Sequence, residues 1–454
     1  MIDPLRSTAF LAIAAAALLS GCLSYDREAA AAVSALQSGS DQTAVKWGIE
    51  LSESAFSERL GEVEAGRVEL LVGNAPAAEA WFRHAIDGAI DRSEREPLIK
   101  LCSIAQTALA STVADDRSID YTLSPYEINL ALEYGILAQL FNGRREDARV
   151  DARLSAYVQD KLAKTYGADL EKRQSTDDQK MSDETSRIMT DQSKVLDAMI
   201  AATRNSWENP VLWWLSGVLF EADGDLDGAV QSYRRAAAIA GGNPVFAGDL
   251  RRADSGGRAP DGSHARLVVI AEDGFVPRRA ALKIPLRIYA TMSIDIPTYA
   301  NAAPYQVRPV VIDGLGDERD AVFSLDVRAL AARDLKEDLP GIIVRNITRA
   351  ALNVGVQAAG KNTGNSYVRL GAELVNLVLL AVRQADTRSW VTLPDAQYVW
   401  RKDDVEPGEH HLAISVGSCT GEVDLALRAG ETGILWVSAC GATLRHKFAV
   451  ISGK

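Results

Sequence analysis

The chain has few of the residues that most often carry catalysis or bind metals. Its 454 residues include only 4 Cys and 5 His. No histidine has the H-x₃-H or H-E-x-x-H spacing of a zinc site, and the adjacent His410 and His411 would face opposite sides of a strand. We therefore expect no metal and no cofactor, and we predict that the protein is not an enzyme.

Positive charge and long apolar runs are also scarce. With 49 Lys and Arg against 61 Asp and Glu, the net charge is −12, which argues against nucleic acid as a partner because phosphates favour basic surfaces. Beyond its N-terminus no segment holds the roughly 18 uncharged apolar residues of a membrane-spanning helix. The composition, 47% hydrophobic and 24% charged, is that of an ordinary folded protein, with room for about three domains.

The one uninterrupted apolar run lies at the N-terminus, from Ala9 to Leu19, and is too short to span a bilayer. It ends in Leu19-Ser20-Gly21-Cys22, which resembles the lipobox of bacterial lipoproteins. We therefore predict a signal peptide over 1–21 and an acylated Cys22, with the outer membrane, facing the periplasm, as the location. The blander alternatives are a plain signal peptide or a buried helix with a chance cysteine.

The other three cysteines are interpreted differently. Cys102 lies in an apolar helical run and is most simply a buried residue. Cys419 and Cys440 end two strand-like segments and could pair in an oxidising compartment. Strand register decides whether their Cα atoms come close enough for a disulfide, so the sequence leaves this bridge open.

Residues 22–250 have a helical pattern with a repeat in it. The clearest unit, from Glu208 to Pro244, resembles a tetratricopeptide repeat. Small residues let two helices approach and large ones fill the groove between them; the predicted packing residues are Trp213, Gly217, Phe220, Ala229, Tyr233 and Ala236.

Two upstream segments repeat the step of five residues from a turn glycine to a helix alanine. In the first, Gly73 precedes Ala78, and the predicted packing residues are Gly66, Ala78, Phe82 and Ala85. In the second, Gly143 precedes Ala148, but Ala152 stands at the aromatic position. Generic helical hairpins are the alternative. A polar insertion over 167–194 and a linker over 251–265 complete this half.

The second half changes to a period of two. Residues 266–386 predict strands followed by a helical hairpin, formed by segments 340–360 and 366–386. Residues 387–454 predict about five strands in a small β-sandwich-like module. The predicted fold class is therefore α+β: an all-helical repeat domain, then a mixed region, then a sandwich.

Two sequence motifs of catalytic proteins occur without their usual context. Residues 355–361 fit G-x-x-x-x-G-K, but Asn362 replaces the Ser or Thr that would hold Mg²⁺, and the motif follows a helix rather than a strand. Residues 417–421 fit a nucleophile elbow, but a strand follows where a helix is needed. A helix end and a hairpin turn are the better interpretations.

The segment ADTRSWVTLP, residues 385–394, concentrates polar groups where a helix gives way to a strand. Asp386, Arg388, Ser389 and Trp390 are its main candidates. In one interpretation they brace this junction, with Asp386 capping free N–H groups or pairing with Arg388, and Trp390 as a wedge. In the other they bind a ligand. We favour the brace.

A family resemblance rests on several of these segments: the lipobox, YEINLALEYGILAQLFNGRREDARVDAR, VIAEDGFVP, and ADTRSWVTLP followed by Pro407-Gly408. Together they resemble a family of largely uncharacterised bacterial lipoproteins with repeats in the N-terminal half. Members are typically encoded near lipoproteins that activate cell-wall synthases. The resemblance implies a role in envelope or peptidoglycan biogenesis and names no catalytic residue.

The expected function is a lipid-anchored envelope scaffold whose repeats offer a concave groove to an envelope protein of unknown identity. The alternative is an envelope protein that binds a glycan or lipid, or acts on one as an enzyme, through the C-terminal half. In that alternative Asp386, Arg388 and Ser389 would converge with Asp320 or Asp326.

Overall fold

The computed structural model of the protein describes residues 25–95, 119–177, 183–200, 203, 205–287, 293–316, 319–361 and 384–452. Three sequence predictions lie outside the described residues: the signal peptide with Cys22, the environment of Cys102, and nearly all of the helix over 366–386.

The described residues form eleven helices, and the N-terminal half is entirely helical. They are α1 (25–38), α2 (Asp41–Ser52), α3 (Glu58–Leu71), α4 (Ala75–Arg95), α5 (Pro125–Phe141), α6 (Arg145–Asp177), α7 (Asp183–Ile200), α8 (Pro210–Ala222), α9 (Leu226–Ile239), α10 (Pro244–Asp254) and α11 (Val327–Lys361). None of these helices is both long enough and apolar enough to cross a membrane.

Three helical hairpins, α3–α4, α5–α6 and α8–α9, are joined by the same turn. Its glycine has a positive φ in each case: Gly73 (+90°), Gly143 (+74°) and Gly224 (+82°), a conformation that favours glycine. The residue after the glycine donates its N–H to the carbonyl five positions before it: Asn74 to Glu69, Arg144 to Gln139 and Asp225 to Phe220. The alanine of the second helix then donates its N–H to the carbonyl of that same residue: Ala78 to Asn74, Ala148 to Arg144 and Ala229 to Asp225. The five-residue step in the sequence is therefore one hydrogen-bonded turn used three times.

The interiors of the first and third hairpins contain the residues that the sequence singled out. A Cβ on Gly217 would lie 2.5 Å from the ring of Tyr233, and a Cβ on Gly66 would lie 3.0 Å from the ring of Phe82. The remaining predicted packing residues are all buried: Ala78, Ala85, Trp213, Phe220, Ala229 and Ala236. Each glycine therefore makes room for an aromatic ring of the facing helix.

The strands form three sheets. They are β1 (Ala265–Asp273), β2 (Ala280–Pro285), β3 (Ser293–Thr298), β4 (Val310–Asp313), β5 (Arg319–Asp320), β6 (Val322–Asp326), β7 (Ala396–Val405), β8 (Gly408–Val416), β9 (Cys419–Leu427), β10 (Glu431–Cys440) and β11 (Thr443–Ser452). The five-stranded sheet has the order β11-β10-β1-β7-β6, the four-stranded sheet β5-β4-β8-β9, and β2 pairs with β3. Among the described strands, only β1 and β10 pair in parallel.

The larger sheets do not follow the predicted boundary at residue 386. Strands from before and after it pair with each other in both sheets: β1 with β7 and β10, and β4 with β8. Segment 319–326 moreover supplies β5 to one sheet and β6 to the other. Residues 387–454 therefore do not form a separate sandwich, because their strands need partners from 265–326 to complete either sheet.

The molecule has three layers. The helices pack on one face of the five-stranded sheet, and an apolar cluster joins its other face to the four-stranded sheet. Cys440 belongs to the helical side and Cys419 to the cluster between the sheets, and both are free. The possible disulfide is thus not formed, because the five-stranded sheet separates the two thiols.

Three further expectations need correction. Residues 183–194 of the predicted polar insertion belong to α7, which buries Ile188 and Leu196 on one face; two large apolar residues at helical spacing are enough for docking. The predicted linker is also packed, because the N–H of Ala259 donates to Glu221 of α8. Lastly, the helix predicted over 340–360 is longer: as α11 it begins at Val327, continues through Pro340 and includes residues 355–361.

The first helix of each hairpin is covered on all sides. Every residue of α5 from 125 to 140, of α8 from 210 to 221, and of α3 from 60 to 71 is buried. The second helix of the hairpin lies against one side and the five-stranded sheet lies near the other. The groove that such repeats would offer to a partner is thus filled by the chain's own sheet.

Candidate functional site

The segment ADTRSWVTLP lies between the helices and the five-stranded sheet, immediately before β7. Trp390 is fully buried among aromatic rings, with its centroid 6.2 Å from that of Phe82 and 6.0 Å from that of Tyr134. It thus wedges the first two hairpins against the chain that enters the sheet.

Arg388 is buried and its donors are used within the chain. Its Nε and Nη2 lie 2.9 and 2.7 Å from the two carboxylate oxygens of Asp386, and its Nη atoms donate to the carbonyls of Phe56 and Ile119. Burial opposes the charge of Arg388, but the hydrogen bonds and charge of Asp386 outweigh it, so the pKa of the guanidinium is raised. This pair fixes the loop between α2 and α3 to the segment.

The neighbouring residues attach α1. The hydroxyl of Tyr25 donates to the Ser389 carbonyl at 2.7 Å and accepts from the Ser389 N–H at 3.2 Å. Thr387 donates to Asp26 at 2.7 Å. The Ser389 hydroxyl is buried and has no hydrogen-bond partner among the described residues, which makes it the one polar side chain of the four candidates that no contact explains.

The end of the segment is held by α3. Glu64 accepts from the Val391 N–H at 2.6 Å and from the Thr392 hydroxyl, and Arg67 donates to the Thr392 carbonyl at 3.2 Å. Burial raises the pKa of Glu64 to about 8, against these hydrogen bonds, which favour its charged form.

Beneath the segment lies a buried polar cluster centred on Glu272 of β1. It forms an ion pair with Arg67, both side chains being fully buried, and accepts from Tyr134 at 2.8 Å and from Gln397 at 3.2 Å. Gln397 also donates to Glu133 at 2.6 Å. Burial raises the pKa of Glu133 to about 8, although Asn209 and Gln397 hydrogen bond to it.

A second ion network lies on the same face of the sheet, at the other end of β1. Arg266 reaches Glu221 of α8 at 2.8 Å, Asp249 of α10 at 3.1 Å and Asp403 of β7 at 3.0 Å. Burial opposes its charge, but the carboxylates outweigh it and raise the pKa of the guanidinium. The third hairpin is therefore tied to the sheet by ion pairs, as the first is through Arg67, whereas the second is tied by hydrogen bonds of Tyr134 and Glu133.

The predicted convergence with Asp320 or Asp326 does not form. Asp320 lies in β5, paired with Val311, and Asp326 accepts from the Ala329 N–H at 2.8 Å at the start of α11. Asp386, Arg388 and Ser389 instead contact α1, the loop before α3 and residue Ile119. The structure brings the predicted site residues together with helices, not with other carboxylates of the C-terminal half.

Sequence reasoning missed a partly exposed polar cluster where β1 ends. The Tyr305 hydroxyl lies 2.5 Å from Asp273 and 2.9 Å from the Tyr398 hydroxyl, and its ring stacks on Phe323 at 5.8 Å. The exposed Arg308 approaches Asp273 at 3.4 Å. The signal was weak, because Tyr305 and Arg308 stand in an irregular segment without a motif.

One group of described side chains has the spacing of a metal site: Glu58, Glu62 and His84, with one ligand atom from each within 4.8 Å of the others. Arg59 donates to both oxygens of Glu62 and lies 3.4 Å from His84. Because this guanidinium already balances the buried carboxylate, we assign no metal to the group.

Comparison of the chain with protein-family models, with curated proteins and with solved structures gives no match. The resemblance to the lipoprotein family therefore stays a prediction, and any assignment of function depends on the residues themselves.

Proposed function

We propose that the protein is a non-enzymatic, lipid-anchored scaffold of the bacterial envelope, held at the outer membrane through Cys22 and binding an envelope protein. The observation that supports the proposal is the set of partners to which the polar groups of ADTRSWVTLP bond. Its polar groups, the Ser389 hydroxyl excepted, bond to one another or to helices and loops of the same chain, as expected of a brace. The lipobox and the family resemblance supply the location and the link to envelope or peptidoglycan biogenesis.

The repeated glycine turn supports a tetratricopeptide-like repeat in three units. The usual partner groove of such repeats is unavailable, because the first helices α3, α5 and α8 are buried against the sheet. We therefore place the partner on the outward helices. On α6, Val150 and Tyr157 are seven residues apart, hence on one face, and are 58% and 59% exposed.

Site-specific crosslinking tests this placement. A photoreactive amino acid replaces Tyr157 in the full chain in growing cells, and the same residue replaces Asp424, whose side chain on β9 is 87% exposed, as the control. The proposal expects one discrete adduct from position 157 that is absent from position 424. No adduct from position 157, or the same adducts from both positions, would contradict it.

For the alternative, a glycan- or lipid-binding protein, the candidate site is the Tyr305 cluster instead of ADTRSWVTLP. An aromatic ring beside carboxylate and guanidinium groups suits a sugar, and the Tyr305 cluster combines these groups at a partly exposed place. Binding of soluble peptidoglycan fragments that Tyr305→Ala weakens at least tenfold, with the melting temperature kept, would favour this alternative. No saturable binding would remove it.

A further inference from the structure

The proposed lipid anchor lies close in the sequence to the first described helix. Only residues 23 and 24 separate Cys22 from Tyr25, the first described residue of α1. A fully extended chain covers at most about 3.6 Å per residue, so Cys22 lies within roughly 11 Å of Tyr25. Whatever surrounds Tyr25 must therefore lie close to the bilayer if Cys22 is acylated.

The start of α1 is fixed to the rest of the protein. Tyr25 is buried and exchanges two hydrogen bonds with Ser389. Asp26 accepts from Thr387 through its side chain and from Arg278 through its carbonyl, both within 2.8 Å. These contacts hold the beginning of α1 against the rest of the protein.

An exposed aromatic side chain lies on the same side of the molecule. Arg388, the residue before Ser389, donates to the carbonyl of Phe56. Phe56 is 41% exposed, and residues 53–55 before it are exposed as well. An aromatic ring at a loop tip suits the interfacial zone of a bilayer, where such rings are enriched.

The charges nearby do not attract this loop to an anionic membrane. Arg27 and Arg278 are exposed on this side, together with Glu28, Glu53, Glu58 and Asp120. This set has a net negative charge, so insertion of the Phe56 ring, rather than charge attraction, would fix the orientation.

We propose that the loop 53–56, with Phe56 at its tip, is a second membrane contact that fixes the orientation of the body on the bilayer to which Cys22 anchors it. This inference rests on the proposed lipid anchor. Its consequence is that α6, with Val150 and Tyr157, is presented to the periplasm in a defined direction and not by a freely rotating body.

Depth-dependent fluorescence quenching tests the contact. The acylated full chain is reconstituted in phosphatidylethanolamine–phosphatidylglycerol vesicles with a fluorescent amino acid in place of Phe56 or, as the matched exposed control, Tyr157. Lipids with a nitroxide near the headgroup are the quencher. We expect quenching at position 56 to exceed that at position 157 at least threefold. Equal quenching, or none at position 56 as at a protein interface, would overturn the proposal.

A parallel measurement keeps the two proposals apart. Detergent-phase partition and the mass of the N-terminal peptide report acylation, and Cys22→Ala should abolish both signals. Absence of acylation in the wild type refutes the lipid anchor itself. Acylation without quenching at position 56 leaves the anchor in place and refutes only the loop contact.

Discussion

The two faces of the five-stranded sheet are built on opposite principles. Along β1, Leu267, Val269 and Ala271 face the four-stranded sheet in a wholly apolar cluster. The alternate positions, which face the helices, include Arg266 and Glu272, and both are buried. From Ala265 to Ala271 the first face of the strand carries no charge, and Asp273 at its end pairs with Tyr305 and Arg308. The other face pairs its charges with α3, α8 and α10.

The difference indicates how a layer of helices is fixed at one position on a sheet. Apolar packing is not directional, so it stabilises contact without selecting a position. A buried ion pair contributes little net stability, but misalignment leaves an unpaired charge in a dry interface, which costs several kcal/mol. We infer that the polar face specifies where the helices sit, and that the apolar face contributes most of the stability of the two-sheet unit.

The largest effect is expected from breaking the polar face. Glu272→Ala leaves Arg67 buried without its counter-ion and should lower the free energy of unfolding by about 3–5 kcal/mol. Denaturant titration measures it. Glu422→Ala, at a side chain that is 76% exposed on β9, is the control and should stay within about 0.5 kcal/mol of the wild type. A loss below about 1 kcal/mol for Glu272→Ala would contradict the account.

A double substitution sharpens the same point. In Arg67→Met with Glu272→Leu both charges are replaced by apolar groups of similar size, so no buried charge is left unpaired. We expect this protein to be less destabilised than Glu272→Ala alone. A larger loss than in the single variant would contradict this and would mean that Arg67 stabilises the fold through another contact, such as the Thr392 carbonyl.

On the apolar face the expected loss comes from a cavity. Leu435 of β10 is fully buried in the cluster between the sheets. Leu435→Ala should cost about 2–4 kcal/mol, and the loss should be the same at pH 5 and pH 8, because no charged partner is removed. Denaturant titration at both pH values checks this. A loss that changes strongly with pH would show that the two faces are not energetically separate.

The polar face should also make the stability depend on pH. The pKa of Glu64 and that of Glu133 are raised to about 8 in the folded protein, from an ordinary value near 4.5. The folded state therefore binds more protons than the unfolded state between these values, and this contribution to stability is lost as the pH rises toward 8. Neutral Gln at both positions should remove the effect.

The measurement compares wild type with the Glu64→Gln, Glu133→Gln double variant at pH 5 and at pH 8. We expect the wild type to lose more stability than the variant over this interval, because at pH 8 the unfolded state has released both protons whereas the folded state still binds them in part. Parallel pH curves for the two proteins would show that the carboxyls are ionised when folded.

Local features could be predicted from the sequence because short-range geometry determines them. The step from Gly224 to Ala229 and the pairing of Gly217 with Tyr233 lie within about 20 residues and follow helical spacing. The pairing of Asp386 with Arg388 was predicted for the same reason, since the two residues are neighbours in the sequence. Helices followed by strands also sufficed for the α+β class.

Long-range pairing could not be predicted. Nothing near β1 indicates that it pairs with β10, more than 160 positions later, or that the sheet separates Cys419 from Cys440. A signal did exist in Arg266 and Glu272, two charges in an otherwise apolar strand, which require buried partners. Their partners on α3 and α8 lie in the other half of the chain and share no local pattern with them.

The most direct test of the central claim, that ADTRSWVTLP is a brace and not a ligand site, is the thermal and denaturant unfolding of Asp386→Ala. Removing the carboxylate takes the Asp386 counter-ion from the buried Arg388, and we predict a loss of about 2–3 kcal/mol and a melting temperature lower by several degrees. A melting temperature that stays within about one degree of the wild type would contradict the account, because a residue kept for a ligand can be removed without loosening the fold.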